Sequence, residues 1–238
     1  MSSFQFKHFN IIQDKSPLKV GTDSMLLGAL IEPMHVTSAL DIGAGTGVLS
    51  LMVLQKNPAI KLEAIEIHPE AAEECSLNFK NSPLGLGAEV HAIDFFDYQT
   101  SVTFDLIFSN PPFYLDGLKT GIAEKDQAKH IDRLWYDRFL AKTKSLLSEN
   151  GRFYVIVPGN QLAFFSDLAK TQGLFVQEQT IIHATKEKPN SRVVFMFSRE
   201  QKSIKHIELT IRDVNGQYTE EYIFLTKDYH FKDLSKKD

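Results

Sequence analysis

Only one cysteine, Cys75, stands among the 238 residues, so no disulfide can form within the chain, and a reducing cytoplasm is its expected home. Long apolar runs are missing too. The longest, Met25 to Ile31 and Val48 to Leu54, fall far short of the roughly 18 residues that mark a membrane helix, so no membrane association is expected. The start, Met1-Ser2-Ser3-Phe4-Gln5-Phe6-Lys7, lacks the basic-then-apolar order of a secretion signal. There is no low-complexity tract, internal repeat or long linker. The expectation is a single domain over 1–238, with 1–33 as an N-terminal covering segment, 38–200 as the core and 203–238 as a C-terminal appendage. Net positive charge is also lacking: the formal charge of -4 excludes a protein that coats nucleic acid by neutralising many phosphates. One stretch departs from this. From His183 to His206 the basic residues Lys186, Lys188, Arg192, Arg199, Lys202 and Lys205 face only Glu187 and Glu200, a local +4 that leaves -8 elsewhere. Charge of that kind either meets a polyanion or keeps a strand edge in solution.

Strand-length apolar runs alternate with segments of helical period, the pattern of a mostly parallel sheet with helices on both faces. Strands are predicted at Ser38 to Ile42, Lys61 to Ile67, Ala88 to Ile93, Phe104 to Ser109 and Arg152 to Val157. Helices are predicted at Thr46 to Asn57, from Pro69 onward, at Leu134 to Ser148 with a left-handed cap at Asn150-Gly151, and at Gln161 to Gln172 before Gly173. Leu174 to His183 and Arg192 to Arg199, joined by Glu187-Lys188-Pro189-Asn190, read as an antiparallel hairpin closing the edge of a seven-stranded sheet. A further strand at His206 to Arg212 and a short helix starting at Thr219 follow in the appendage.

Two segments carry chemistry. Asp41-Ile42-Gly43-Ala44-Gly45-Thr46-Gly47 closes the first strand, where glycines let backbone amides approach a ligand at a helix N-terminus. A P-loop would need Lys-Ser/Thr after Gly47, where Val48-Leu49 stand, and a dinucleotide fingerprint would need glycine in place of Val48. The remaining match, Asp-x-Gly-x-Gly-x-Gly, is the spacing found in S-adenosylmethionine-dependent methyltransferases. Glu66, about 20 residues on at the end of the second strand, suits a ribose diol, and Asp94 at the end of the third suits an adenine amino group. Taken singly, the glycines also make a tight turn and each acid a cap.

The second segment, Asn110-Pro111-Pro112-Phe113, ends the fourth predicted strand, which two prolines cannot continue. An amine conjugated to a π-system is a poor nucleophile until its lone pair is localised. The Asn110 side-chain oxygen and the Pro111 carbonyl can accept its two hydrogens, the prolines hold that carbonyl rigidly, and Phe113 offers a face for a base. No strong general base is needed, because the nitrogen turns acidic only after attack, and no metal is expected.

With these residues in place the chain resembles a Rossmann-like class I methyltransferase of the amino-methylating branch over most of Ser38 to Phe197. Phe4-Gln5-Phe6-Lys7-His8-Phe9, the run Lys19-Val20-Gly21-Thr22-Asp23-Ser24-Met25-Leu26-Leu27-Gly28-Ala29 and the tail from Gly216 to Thr226 are similar to the bacterial tRNA(Val) (adenine-N6)-methyltransferases. That resemblance implies S-adenosyl-L-methionine as cofactor and, as substrate, the adenine 3′ of the anticodon, adenine-37. It also implies that Lys19, Gly21, Thr22 and Asp23 lie beside Asp41 and the glycines at the methionine end of the cofactor, with Asn110 against the same ligand. The family's turn is often Asn-Pro-Pro-Tyr; Phe113 keeps the face and loses the hydroxyl. Lys125, Lys129 and Arg133 after the turn, and Lys186, Lys188 and Arg192 on the hairpin, are the candidate RNA contacts.

Other readings stay open. A ribosomal-RNA adenine or guanine N-methyltransferase shares the turn. A protein-glutamine N5-methyltransferase does too, but it brings a helical substrate domain ahead of the cofactor domain, for which the residues before Asp41 leave no room. DNA is not an expected partner, since no segment is long enough for a target-recognition domain, and no obligate protein partner is evident. A cofactor-binding interaction module without activity is the remaining reading, against which the intact Asn-Pro-Pro-aromatic turn speaks.

Overall fold

Ser38–Ile42 (β3) is buried over its last four residues, which forces it to the middle of a sheet covered on both faces. The computed structural model describes residues 2–111, 122–188 and 191–234, except the side chains of 122–132. Upstream of β3, Ser3–Gln5 (β1) and Asn10–Ile12 (β2) form a small antiparallel hairpin, and Thr22–Leu30 (α1) follows. After β3 come Val48–Lys56 (α2), Lys61–Glu66 (β4), Pro69–Lys80 (α3), Ala88–Ala92 (β5) and Phe104–Ser109 (β6). The second half holds Ile122–Leu146 (α4), Leu147–Pro158 (β7), Leu162–Thr171 (α5), Phe175–His183 (β8), Arg192–Ser198 (β9), Lys205–Thr210 (β10) and Glu220–Thr226 (α6).

The main sheet runs β10-β8-β9-β7-β6-β3-β4-β5, with β9 alone antiparallel to its neighbours among the described residues. Every other strand therefore ends on one edge, and the loops that follow β3, β4, β5, β6, β7, β8 and β10 crowd there. Alternate residues divide two cores. Ala39, Leu62, Ala64, Leu106 and Phe108 pack under α1, α2 and α3; Leu40, Ile42, Ile65 and Ile107 pack under α4 and α5 with a set of aromatic rings around Phe139, Phe153 and Phe197. The two longest apolar runs became α1 and α2, which lie on each other. Val48 to Leu54 is buried throughout, the mark of a helix covered on all sides. Gly28 makes the contact possible, since a Cβ there would meet Met52 Sδ at 2.5 Å.

Two expectations are corrected. Among the described residues the sheet has eight strands, because Lys205 to Thr210 pairs in parallel with Glu178 to His183; the β8–β9 hairpin is thus one strand in from the edge, and β10 satisfies backbone groups that β8 would otherwise expose. The predicted cap Asn150-Gly151 lies inside β7. The helix already ends at Leu146, and Leu147 pairs with Phe104 while Arg152 pairs with Leu106, so the residues between are a bulge. Gly151 serves close approach there: a Cβ would sit 2.9 Å from the Phe104 carbonyl oxygen. The amino and carboxyl ends meet on one face, where Lys7 N–H donates to the Tyr229 carbonyl and Phe6 bridges to His230.

Candidate active site

Along the strand-end edge, four neighbouring strands deliver their terminal residues in spatial order: Asn110 after β6, the glycine turn after β3, Glu66 at the end of β4 and Asp94 after β5. Adjacent strands lie about 4.8 Å apart, so the row spans on the order of 14 Å.

Gly43, Gly45 and Gly47 have φ of 75°, 54° and 78°, a left-handed backbone that side chains strain. Their roles differ. A Cβ on Gly43 would meet nothing within 4 Å, which leaves its face open, whereas one on Gly47 would lie 2.7 Å from Cys75 Sγ and from Phe79 Cε1, so Gly47 packs α2 against α3. The turn is pinned from below: Gly43 and Ala44 N–H donate to the Ile65 carbonyl at 2.9 and 3.0 Å, and Gly45 N–H donates to Glu66 Oε2 at 2.8 Å.

A cavity of about 570 Å³ opens above the turn, within the usual range for a small-molecule site. It is lined by Gly43, Ala44, Gly45 and Thr46 of the turn, by Lys19 and Gly21 of the segment leading into α1, and by Thr22 and Asp23 at the start of α1. Asn110, Pro111 and Arg192 complete the rim. Asn110 is fixed relative to the turn by its neighbour, since Ser109 Oγ donates to the Ile42 carbonyl at 2.8 Å. The Lys19 ammonium ties its own segment together by donating to the carbonyls of Gln13 and Asp14.

Among the described candidates, Asp41, Gly47, Glu66 and Asp94 do not line this cavity. Asp41 is fully buried beneath the turn; its Oδ2 accepts from Ser50 Oγ at 2.7 Å and its Oδ1 has no partner among the described residues. Burial pushes its carboxyl up from 3.8 to about 7, against the pull of the Ser50 hydrogen bond. Glu66, 6% exposed, accepts from His68 N–H at 2.9 Å as well as from Gly45, so it braces the turn. Asp94 Oδ1 accepts from Phe96 N–H at 2.8 Å in a loop that Lys142 holds by donating to the carbonyls of Phe96 and Tyr98. Burial raises the Cys75 thiol well above its usual range, which leaves it unreactive.

Pro112 and Phe113 fall outside the described residues, as do the side chains of Lys125 and Lys129 on α4. Arg133 is exposed on the same helix. Of the six basic side chains between His183 and His206, four are engaged within the chain. Arg192 pairs with Asp23 at 2.8 Å, Lys202 with Glu200 and Lys205 with Glu178 at 2.7 Å each, and Arg199 donates to the carbonyls of Lys144 and Leu147. Lys186 and Lys188 stand exposed on the turn. The sequence reading missed Glu74 and Asn78 of α3, both buried, which bond the segment before α1. Their signal was polar residues at an i, i+4 spacing on a face otherwise filled by Ala71, Cys75 and Phe79.

Sheet order, left-handed glycine turn and cavity at the strand ends define a Rossmann-like methyltransferase fold. A predicted O-methyltransferase from Agrobacterium tumefaciens superposes with a TM-score of 0.68, covering 87% of this chain and 96% of that one at 17% identity. A TehB-like methyltransferase from Corynebacterium glutamicum superposes at 0.51, covering 77% and 90% at 18% identity. The chain belongs to the methyltransferase small domain family, whose profile matches residues 16–181. Its relatives include a Flavobacterium johnsoniae protein, 40% identical over 96% of this chain and 99% of that one, and a Bacteroides fragilis protein, 36% identical over 96% and 98%. Both bear the name tRNA1(Val) (adenine(37)-N6)-methyltransferase.

Proposed function

We propose that the chain transfers a methyl group from S-adenosylmethionine to N6 of adenine-37 in a valine tRNA. The observation that supports the methyl transfer is the row of strand ends, with Asn110, the glycine turn, Glu66 and Asp94 in the order that an amine acceptor, an amino-acid tail, a ribose and a base require, and the substrate follows the name that the full-length relatives bear. The cavity fits such a cofactor: its volume suits a ligand of that size, and the Gly43 face carries no side chain to fill it. Bound there, the cofactor supplies an electrophilic methyl group on a sulfonium.

The residues of the chain do the positioning. The glycine turn and the Lys19 to Asp23 wall enclose the amino-acid end, Glu66 keeps lone pairs for ribose hydroxyls beyond those it gives to backbone N–H groups, and Asp94 accepts from the adenine of the cofactor. Asn110 and the Pro111 carbonyl accept the two hydrogens of the target amine and turn its lone pair toward the methyl group, which is catalysis by placement. Loop bases are splayed out at less cost than duplex bases, which favours an anticodon-loop adenine as the target. Arg133, Lys186 and Lys188 provide phosphate contacts in this reading. No described helix is long and apolar enough to cross a membrane; a tRNA substrate makes the cytoplasm the proposed compartment.

Labelled methyl transfer to a panel of unmodified tRNA transcripts, with nucleoside mapping, tests the proposal. N6-methyladenosine at position 37 of a valine tRNA is expected. Label in N5-methylglutamine, in a DNA base or in guanosine refutes it, and label confined to ribosomal RNA refutes the tRNA assignment.

A further inference from the structure

From Ile12, the last residue of β2, to Gly21 before α1 the chain crosses the glycine turn as a strap, without regular secondary structure beyond its first residue, and Leu18, Lys19 and Gly21 of this strap form cavity wall. Such a segment must satisfy its own backbone groups and has little apolar surface to hold it down; Leu18 is 63% exposed. Two side chains of α3, one helical turn apart, supply the anchorage. Glu74, 4% exposed, accepts the N–H groups of Asp14 at 2.6 Å and Lys15 at 2.8 Å on Oε2, and that of Ser16 at 2.9 Å on Oε1. Asn78, fully buried, accepts from Ile12 N–H at 2.8 Å and donates to the Ile12 carbonyl at 2.8 Å and to the Thr46 carbonyl, in the glycine turn, at 2.9 Å. Three successive N–H groups converging on one carboxylate make charge-assisted bonds in a backbone nest. A single amide thus bonds both the start of the strap and the glycine turn, whose Thr46 lines the cavity.

We infer that Glu74 and Asn78 are positioning residues that clasp the strap to the glycine turn and hold the cofactor cavity in its binding-competent form. Neither lines the cavity, so neither touches the reacting atoms. The inference rests on the assignment of the cavity to S-adenosylmethionine. With the clasp opened, apparent affinity falls by the fraction of molecules whose strap is in place. Transfer at saturating cofactor is kept, because Asn110 and Pro111 stand on a different part of the rim.

The test compares the wild type with Glu74→Gln, Asn78→Ala and, as control, Glu73→Gln, an exposed neighbour on the same helix. Calorimetry gives the Kd for S-adenosylmethionine, and assays on tRNA transcript give kcat and the cofactor KM. Gln at 74 can keep an oxygen for Asp14 and Lys15 but turns an amide donor on the Ser16 N–H. Both clasp variants are expected to raise Kd and KM about tenfold or more with kcat within about threefold, and the control to move neither. Amide exchange read by mass spectrometry should accelerate at 12–20 while β3 and β6 stay protected. Unchanged Kd in the folded variants overturns the clasp, as does a fall in kcat at unchanged Kd. If the wild type itself binds no S-adenosylmethionine, the cofactor assignment fails first and the inference falls with it. Should both variants fail to fold, exchange in the cofactor-free wild type decides: slow amides at 14–16 support the clasp and fast ones overturn it.

Discussion

The two halves of the strand-end edge are built on different physics. On the β6-β3-β4-β5 side, polar groups are satisfied by backbone: Glu66 takes the N–H groups of Gly45 and His68, Asp94 that of Phe96, and Gly43 and Ala44 hang from the Ile65 carbonyl. On the β7-β9-β8-β10 side, the charges are long side chains near the surface: Lys205–Glu178 and Lys202–Glu200 cancel in pairs, and Lys186 and Lys188 stand exposed. Backbone-held carboxylates cost nothing to reorganise when a ligand arrives. Exposed ion pairs contribute about 0 to 1 kcal/mol, are screened by salt and exchange readily for other partners. The first half is suited to a fixed cofactor and the second to a polyanion that comes and goes.

Replacing Asn110 by Ala strikes the preorganised half at the reacting centre and should cost roughly 100- to 1000-fold in kcat while the Kd for S-adenosylmethionine holds. Single-turnover kinetics with saturating cofactor will show it; near-normal turnover removes Asn110 from the mechanism. Next in size, Glu66→Ala withdraws a carboxylate from two N–H groups and from the ribose site, weakening cofactor binding by about 1.5 to 3 kcal/mol. Calorimetry on the folded variant is the check, and an unaltered Kd takes Glu66 out of the site.

Asp41 sharpens the comparison through pH. Burial raises its folded carboxyl above the unfolded value of 3.8, to about 7, so the neutral form is preferred in the fold. Its contribution to stability is complete below about pH 4 and is lost as pH rises through about 7. The cofactor-free wild type should therefore lose thermal stability across that window more steeply than Asp41→Asn; parallel Tm-versus-pH curves would contradict this. The smallest effect belongs to the exposed half. Lys186→Ala with Lys188→Ala should weaken tRNA binding a few-fold and reduce the salt slope by about 0.7 to 0.9 per lost phosphate contact, without touching cofactor affinity. A salt slope equal to that of the wild type places the RNA elsewhere.

Much of the first half was legible because its signals are local. Left-handed glycines follow a buried strand, acids stand at strand ends, and β6 ends at Ser109, just before Asn110-Pro111, where the pattern stops it. The second half was legible only as a count of charges: a local +4 says nothing of the acids that fold back onto it, and Asp23 lies 169 residues from Arg192. The cap reading at Asn150-Gly151 failed for a related reason. A turn-forming pair serves a helix end or a strand bulge equally well, and pairing with Phe104 and Leu106 selected the bulge.

By itself, the sequence determined the alternation of strand and helix, the glycine turn, the acid on each following strand and the Asn-Pro-Pro stop, all features whose energetics lie within a few residues. Only the tertiary structure decided that β10 joins the sheet beyond β8, that Arg192 is spent on Asp23, that Asp41 is sealed under the turn, and that Glu74 and Asn78 bind the strap some 60 residues upstream. Those outcomes depend on which unsatisfied hydrogen-bonding and charged groups meet in space once the chain has closed, and no periodicity along it carries that information.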